Sequence, residues 1–159
     1  MEAVETRHIL LLRDPFNWAA SFMQKSQSPG DSEIWADQWQ EYADEFVGKT
    51  SYLPNALKVN YNRWFLDKKY RQSISAQLGL NFTDAGLEVV TQHAGGSSFD
   101  QAQYNQRAQQ MQVMERWKHF KDDERFVNSF MKRPDIVELA QTLFDLPPEL
   151  AEFAAYCRR

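Results

Sequence analysis

The sequence predicts a helix-rich α/β fold, and three observations carry that prediction. A short, continuous apolar run, HILLL at 8–12, has the length of a buried strand rather than of a helix, and its continuity predicts a parallel strand covered on both faces. A second strand-like run, LKVNY at 57–61, follows Pro54. Most of the remaining chain carries apolar residues at three- and four-residue spacing, the helical period. With 159 residues, 43% hydrophobic and 14% aromatic, the chain can bury a real core and is not a disordered composition. The expectation is one domain over 1–159.

Each element has a local cause. HILLL leads into Asp14-Pro15, where Asp is a good N-cap and Pro suits the first helical position because its missing N–H has no partner there anyway. A helix is expected from Pro15 to about Lys25. SQSPGDS at 26–32 is a loop with turn chemistry, and Ser32 is a candidate cap for the next helix. In that helix Trp35, Trp39, Tyr42 and Phe46 share a face, and Gly48 ends it. A further helix runs from Asp67 to Leu78 and stops at Gly79. Residues 80–100 read as mostly irregular. A long helix is expected over Gln101 to Phe120, with Met111, Met114 and Trp117 on one face. Shorter helices fit Glu124 to Met131 and Pro134 to Phe144, and a last piece follows Pro147-Pro148. Strands this few make a marginal sheet, so either the helices form the core or the sheet is completed elsewhere, for example by a partner chain.

Bulk properties exclude several functions. A net charge of −4 argues against a broad nucleic-acid-binding surface while leaving room for a local anion pocket. The only cysteine, Cys157, allows no intramolecular disulfide and no cysteine-rich zinc site, which fits a cytoplasmic protein. No His/Asp/Glu cluster has metal-ligand spacing. No apolar run approaches the roughly 20 residues of a membrane span, and the polar N-terminus does not read as a signal peptide.

The chemistry concentrates at the first junction, RHILLLRDPFNWAAS. A strand feeding a helix presents backbone N–H groups and the positive end of the helix dipole to an anion. Arg13 sits at that edge and can grip a phosphate or carboxylate with two parallel hydrogen bonds. Ser21, two turns on, offers a hydroxyl. Asp14 opposes this, because a capping carboxylate already occupies the positive end. The alternative is a capped helix start with a salt-bridged arginine.

LLLRDPFNWAAS resembles the 3′-phosphate-binding segment of the sulfotransferases that use 3′-phosphoadenosine 5′-phosphosulfate (PAPS). In that family a strand ends in Arg, often followed by Asp-Pro or Asn-Pro, and a Ser lies eight residues after the Arg, as Ser21 does after Arg13. LKVNYNRWFLDKKYRQSISAQLGL is similar to the family's later strand, where "xxYExL" precedes a helix and a "LGL" turn. MERWKHFKDDERF is similar to its terminal helix. The resemblance implies a truncated P-loop-like sulfotransferase fold with few parallel strands. It also implies that Arg13 and Ser21 hold the 3′-phosphate of PAPS or of its product, adenosine 3′,5′-bisphosphate (PAP). The loop HAGGSSFD at 93–100 occupies the region of the second 3′-phosphate loop. Gly95 and Gly96 there would allow close backbone approach, and Ser97 and Ser98 would add hydroxyls. That loop lacks the family's basic Arg-Lys-Gly, and an ordinary turn capping the next helix through Ser98 or Asp100 is its other reading.

The same resemblance implies sulfuryl transfer from PAPS to a hydroxyl or amine of an acceptor that the sequence does not identify. It also exposes a gap. The family's phosphosulfate loop precedes the Arg-Asp-Pro segment, yet only seven residues precede His8, so the domain is expected to be incomplete at its N-terminus and activity is left open. Gly48-Lys49-Thr50 does not replace that loop, because position 43 is Ala where the phosphate-loop motif needs Gly; it reads as a helix stop. None of His8, His93 and His119 matches the family's upstream catalytic base. The rival expectation is a non-catalytic helical module. It would form a homodimer through its aromatic faces and an apolar strand edge beside HILLL.

Overall fold

A computed structural model describes residues 6–26, 28, 30–91 and 96–159. Two strands, β1 (Ile9–Leu12) and β2 (Leu57–Asn60), pair in parallel with Ile9 opposite Leu57 and Leu12 opposite Asn60. Parallel strands need a long crossover. Here it is made by α1 (Pro15–Met23) and α2 (Asp31–Val47). After β2 come α3 (Tyr61–Leu66) and α4 (Lys68–Gln77), then a long irregular stretch, then α5 (Glu124–Phe126), which continues as a π-helical turn over Val127–Met131. The chain closes with α6 (Pro134–Leu143) and α7 (Pro148–Cys157). Among the described residues, no helix is long and apolar enough to cross a membrane.

HILLL forms a strand, but not one covered on both faces. Leu10 and Leu12 are buried, whereas Ile9 is 51% and Leu11 56% exposed. Among the described residues, the helices cover the side that Leu10 and Leu12 face, where α2 lies against β1. On that side Phe16, Ala19 and Ala20 of α1, Trp39 and Ala43 of α2, and Phe126, Phe130, Ile136 and Val137 form the core.

Helix ends follow their local chemistry in most places. The Asp14 carboxylate accepts from the Asn17 N–H (2.8 Å), and Asp67 caps α4 by accepting from the Lys69 and Tyr70 N–H groups. Gly48 takes φ +82°, which lets the Gly48 and Lys49 N–H groups close on the carbonyls of Glu45 and Asp44. Gly48-Lys49-Thr50 is thus a helix stop. The start of α2 differs from expectation. Its cap is Gly30, and Ser32 is buried, accepting a hydrogen bond from the Ser129 hydroxyl at 3.0 Å.

The expected long helix over Gln101 to Phe120 does not form. Gln101 (φ +49°) and Gln106 (φ +67°) lie in the left-handed region, which interrupts a helical path. Only 3₁₀ turns at Ala108–Gln110 and Arg116–Phe120 are helical there. The backbone bonds go elsewhere: Ser97 and Gln101 form an antiparallel bridge, and the Ala108 N–H donates to the Glu88 carbonyl. Helix propensity is a weak prior that such tertiary contacts override. Trp117 is nonetheless buried, as is Trp39, while Tyr42 is half exposed.

Glu45 of α2 ties down the following loop. Its carboxylate accepts from the Thr50 hydroxyl (2.6 Å) and from the N–H groups of Leu53 and Tyr52 (both 2.9 Å). The Thr50 bond above all, then the two amides, hold its carboxyl below the ordinary value of 4.5. A carboxyl with a depressed folded pKa stabilises the fold above its unfolded pKa, and that contribution is lost as pH falls through the folded value. Calorimetric melting temperatures are therefore expected to drop as pH is lowered below about 4.5, and to drop less in Glu45→Gln. Equal acid sensitivity in both proteins would contradict this.

Candidate anion-binding site

Arg13 leaves the end of β1 beside the first turn of α1. Its backbone carbonyl accepts from the Trp39 indole N–H at 2.8 Å, which locks the junction to α2. Its guanidinium donates through Nη1 to the Ser21 hydroxyl (3.2 Å) and through Nη2 to the Val113 carbonyl, and it lies over the Tyr61 ring at 5.1 Å. Its Nε is buried and has no hydrogen-bond partner. Among the described residues no carboxylate pairs with Arg13.

A second guanidinium shares the site. Arg116 is 8% exposed, and its Nη1 donates to the same Ser21 hydroxyl at 3.0 Å. Its Nη2 donates to Ser97 Oγ (2.7 Å), Nη1 reaches Ser98 Oγ at 3.5 Å, and the Phe99 ring lies 5.2 Å from its guanidinium carbon. Asp100 comes within 3.7 Å of Arg116. Burial first, and the Arg13 charge second, push the Arg116 guanidinium below its ordinary value, while Asp100 and Tyr61 act in the opposite direction. Two cations therefore meet at one hydroxyl, and a single carboxylate, Asp100, pairs with one of them, Arg116. Such a concentration of like charge has a ready use in binding a phosphate, whose oxygens match guanidinium forks.

Ser21 Oγ donates to the Asn17 carbonyl (2.9 Å) while accepting from both arginines. Its proton is thus committed within α1, and the hydroxyl holds the two guanidiniums together. The N-terminus of α1 is not where the arginines gather. Asp14, fully buried, accepts from the Asn17 N–H, from Asn17 Nδ2 and from Asn62 Nδ2, so that helix end is already satisfied. The arginines instead meet two turns along α1, at Ser21.

The 96–101 loop is a tight turn rather than a helix cap. Gly96 has φ +77°, and a Cβ there would come within 2.7 Å of the Gln101 carbonyl oxygen, so only glycine fits. Ser97 Oγ accepts from the N–H groups of Phe99 and Asp100 and donates to the Asp100 carboxylate at 3.2 Å. Gly95 and His93 lie outside the described residues. His119 is exposed, with its ring 5.0 Å from that of Phe99. Among the described residues, no group of His, Cys, Asp and Glu could hold a metal ion.

Sequence reasoning brought Arg13, Ser21, Ser97 and Ser98 to notice, and the structure gathers them. It missed Arg116, because ERWKHFK reads as one charged face of a helix that does not exist. The available signal was position 116 itself, a cation beside Val113, Trp117 and Phe120, all of which are buried. Near the site, a cavity of about 440 Å³ opens at the carboxyl ends of β1 and β2, lined by Asp14, Asn17, Asn60, Asn62, Arg63 and Met114 among others. Ligands of parallel sheets bind at such strand ends. Neither Arg13 nor Arg116 lines this cavity, so the charge arrangement, not cavity size, identifies the anion site. Compared with family models, with curated proteins and with solved structures, the chain matches none.

Proposed function

We propose that this chain is a sulfotransferase-like protein whose Arg13–Arg116 pair binds the 3′-phosphate of PAPS or PAP. One observation carries the reading: Arg13 and Ser21, at the spacing of the family's 3′-phosphate segment, are hydrogen-bonded to each other and meet Arg116 and the Ser97–Ser98 turn. Two guanidiniums meeting at one hydroxyl, with a carboxylate on only one of them, fit a doubly charged phosphate. When bound, PAPS would supply the sulfuryl group for transfer to a hydroxyl or amine. The role of this chain's residues is to grip and orient the phosphate end, which contributes to rate by positioning. The test is calorimetric titration with PAP. Saturable binding supports the reading, and neither heat nor thermal shift at millimolar nucleotide removes it.

A second reading, a self-associating module, rests on the half-exposed Ile9 and Leu11 on the uncovered face of the sheet. It predicts a dimer in sedimentation equilibrium that Leu11→Lys dissociates. A monomer at high protein concentration rules it out.

A further inference from the structure

Arg116 is bound on two sides by different parts of the chain. One side is Ser21 of α1, shared with Arg13. The other is the 96–101 turn, through Ser97 Oγ and through Asp100, whose carboxylate stands 3.7 Å away and also accepts from the Ser97 hydroxyl. Asp100 is the one carboxylate that pairs with either arginine among the described residues. At 3.7 Å it is an ion pair with room to separate rather than a short hydrogen-bonded fork. Its side chain is 27% exposed against 10% for Arg116, so the carboxylate keeps contact with water while it pairs with the cation.

We infer that Asp100 is a resident counter-ion, occupying the phosphate's place on Arg116 until a terminal phosphate displaces it. This rests on the anion reading of the site and adds to it an internal competitor. The physical reason is charge balance. Holding the buried Arg116 guanidinium beside the half-buried Arg13 is costly without a compensating anion, and Asp100 supplies half of the charge needed. A phosphomonoester dianion supplies all of it, and with more acceptor atoms. The carboxylate then moves out to water, which its partial exposure permits. Because Asp100 is anchored through Ser97 to a turn that only Gly96 allows, the loop keeps the carboxylate close enough to return to Arg116 when the ligand leaves. The loop thus tunes affinity downward and keeps the empty site folded.

The test compares wild type, Asp100→Asn and Arg116→Gln by titration with inorganic phosphate at pH 8, with PAP titrated in parallel. Asp100→Asn is expected to bind phosphate about fivefold more tightly, and Arg116→Gln about tenfold more weakly. In phosphate-free buffer Asp100→Asn is expected to melt about 3 °C lower than wild type, with phosphate restoring more of its stability than of wild type. Asp100→Ser, which also removes the charge, checks that the outcome does not depend on one folded variant. Unchanged or weaker phosphate binding in both Asp100 variants overturns the inference, as does undiminished binding in Arg116→Gln or no phosphate binding in any protein. If PAP binds far more tightly than phosphate while the Asp100 variants match wild type, the nucleotide reading stands and the counter-ion inference falls. If the Asp100 variants gain affinity but PAP binds no better than phosphate, the converse holds.

Discussion

Replacing Arg13 by alanine is expected to weaken PAP binding about a hundredfold, a loss of roughly 2.7 kcal/mol in a calorimetric titration. The size follows from what Arg13 contributes. Its guanidinium has five N–H donors. Nη1 and Nη2 each use one of them, on Ser21 and on the Val113 carbonyl, and Nε–H has no partner. Nε is buried, but Nη1 and Nη2 each keep a second N–H that these bonds do not use, and those are the donors for an incoming oxygen. The substitution also removes one of the two charges that make the site attractive to a dianion, leaving Arg116 balanced by Asp100. Arg13→Lys separates the two contributions. It keeps the charge but loses the planar fork, and it should sit between, about tenfold weaker than wild type. If Arg13→Ala binds PAP within a factor of two of wild type, Arg13 is a structural residue and the proposed function fails.

Trp39→Ala is expected to cost about 4 kcal/mol of stability and to lower the melting temperature by about 12 °C. Trp39 is 2% exposed in the middle of α2, packed among α1 and the C-terminal helices, and its removal leaves a cavity that the surrounding core can only partly close. That is a large part of the 5–15 kcal/mol typical of a domain. Trp39 also reaches the site. Its indole N–H donates to the Arg13 carbonyl at 2.8 Å, at the point where β1 turns into α1. Trp39→Phe retains most of the ring but leaves that carbonyl without its donor, at an expected cost of about 1–2 kcal/mol. Phosphate or nucleotide binding should weaken in Trp39→Phe beyond what its stability loss predicts, because the anchor of Arg13 is gone. A melting temperature of Trp39→Ala within about 3 °C of wild type would show that the side chain is not part of the core.

The elements that sequence reading placed correctly share one property: their cause is local. Asp14 caps α1, Gly48 and Gly79 take positive φ at helix ends, and Asp67 caps α4, all within a few residues of what they control. The Arg13–Ser21 contact is local in the same sense. Eight residues along a strand–helix junction bring the two side chains together, and the hydrogen bond between them spans only that interval. Reading failed where the deciding partner is far away. The stretch 101–120 has helical composition, yet the Ala108 N–H donates to the Glu88 carbonyl, and the Val113 carbonyl accepts from Arg13, a hundred residues earlier in the chain. HILLL is covered on one face rather than the two its continuity predicts, again for a non-local reason. Alternation and continuity in a strand of four residues cannot tell one covered face from two, and only the packing of α1 and α2 on one side decides it.

By itself, then, the sequence determined the two strands, most helix ends and half of the candidate site, because capping, turn chemistry and strand–helix spacing act over a few residues. Tertiary structure alone decided that Arg116 joins Arg13 across 103 positions. It alone placed Asp100 beside Arg116 through the turn at Gly96. Those contacts depend on where an irregular chain folds back, and no periodicity or cap in the sequence encodes that path.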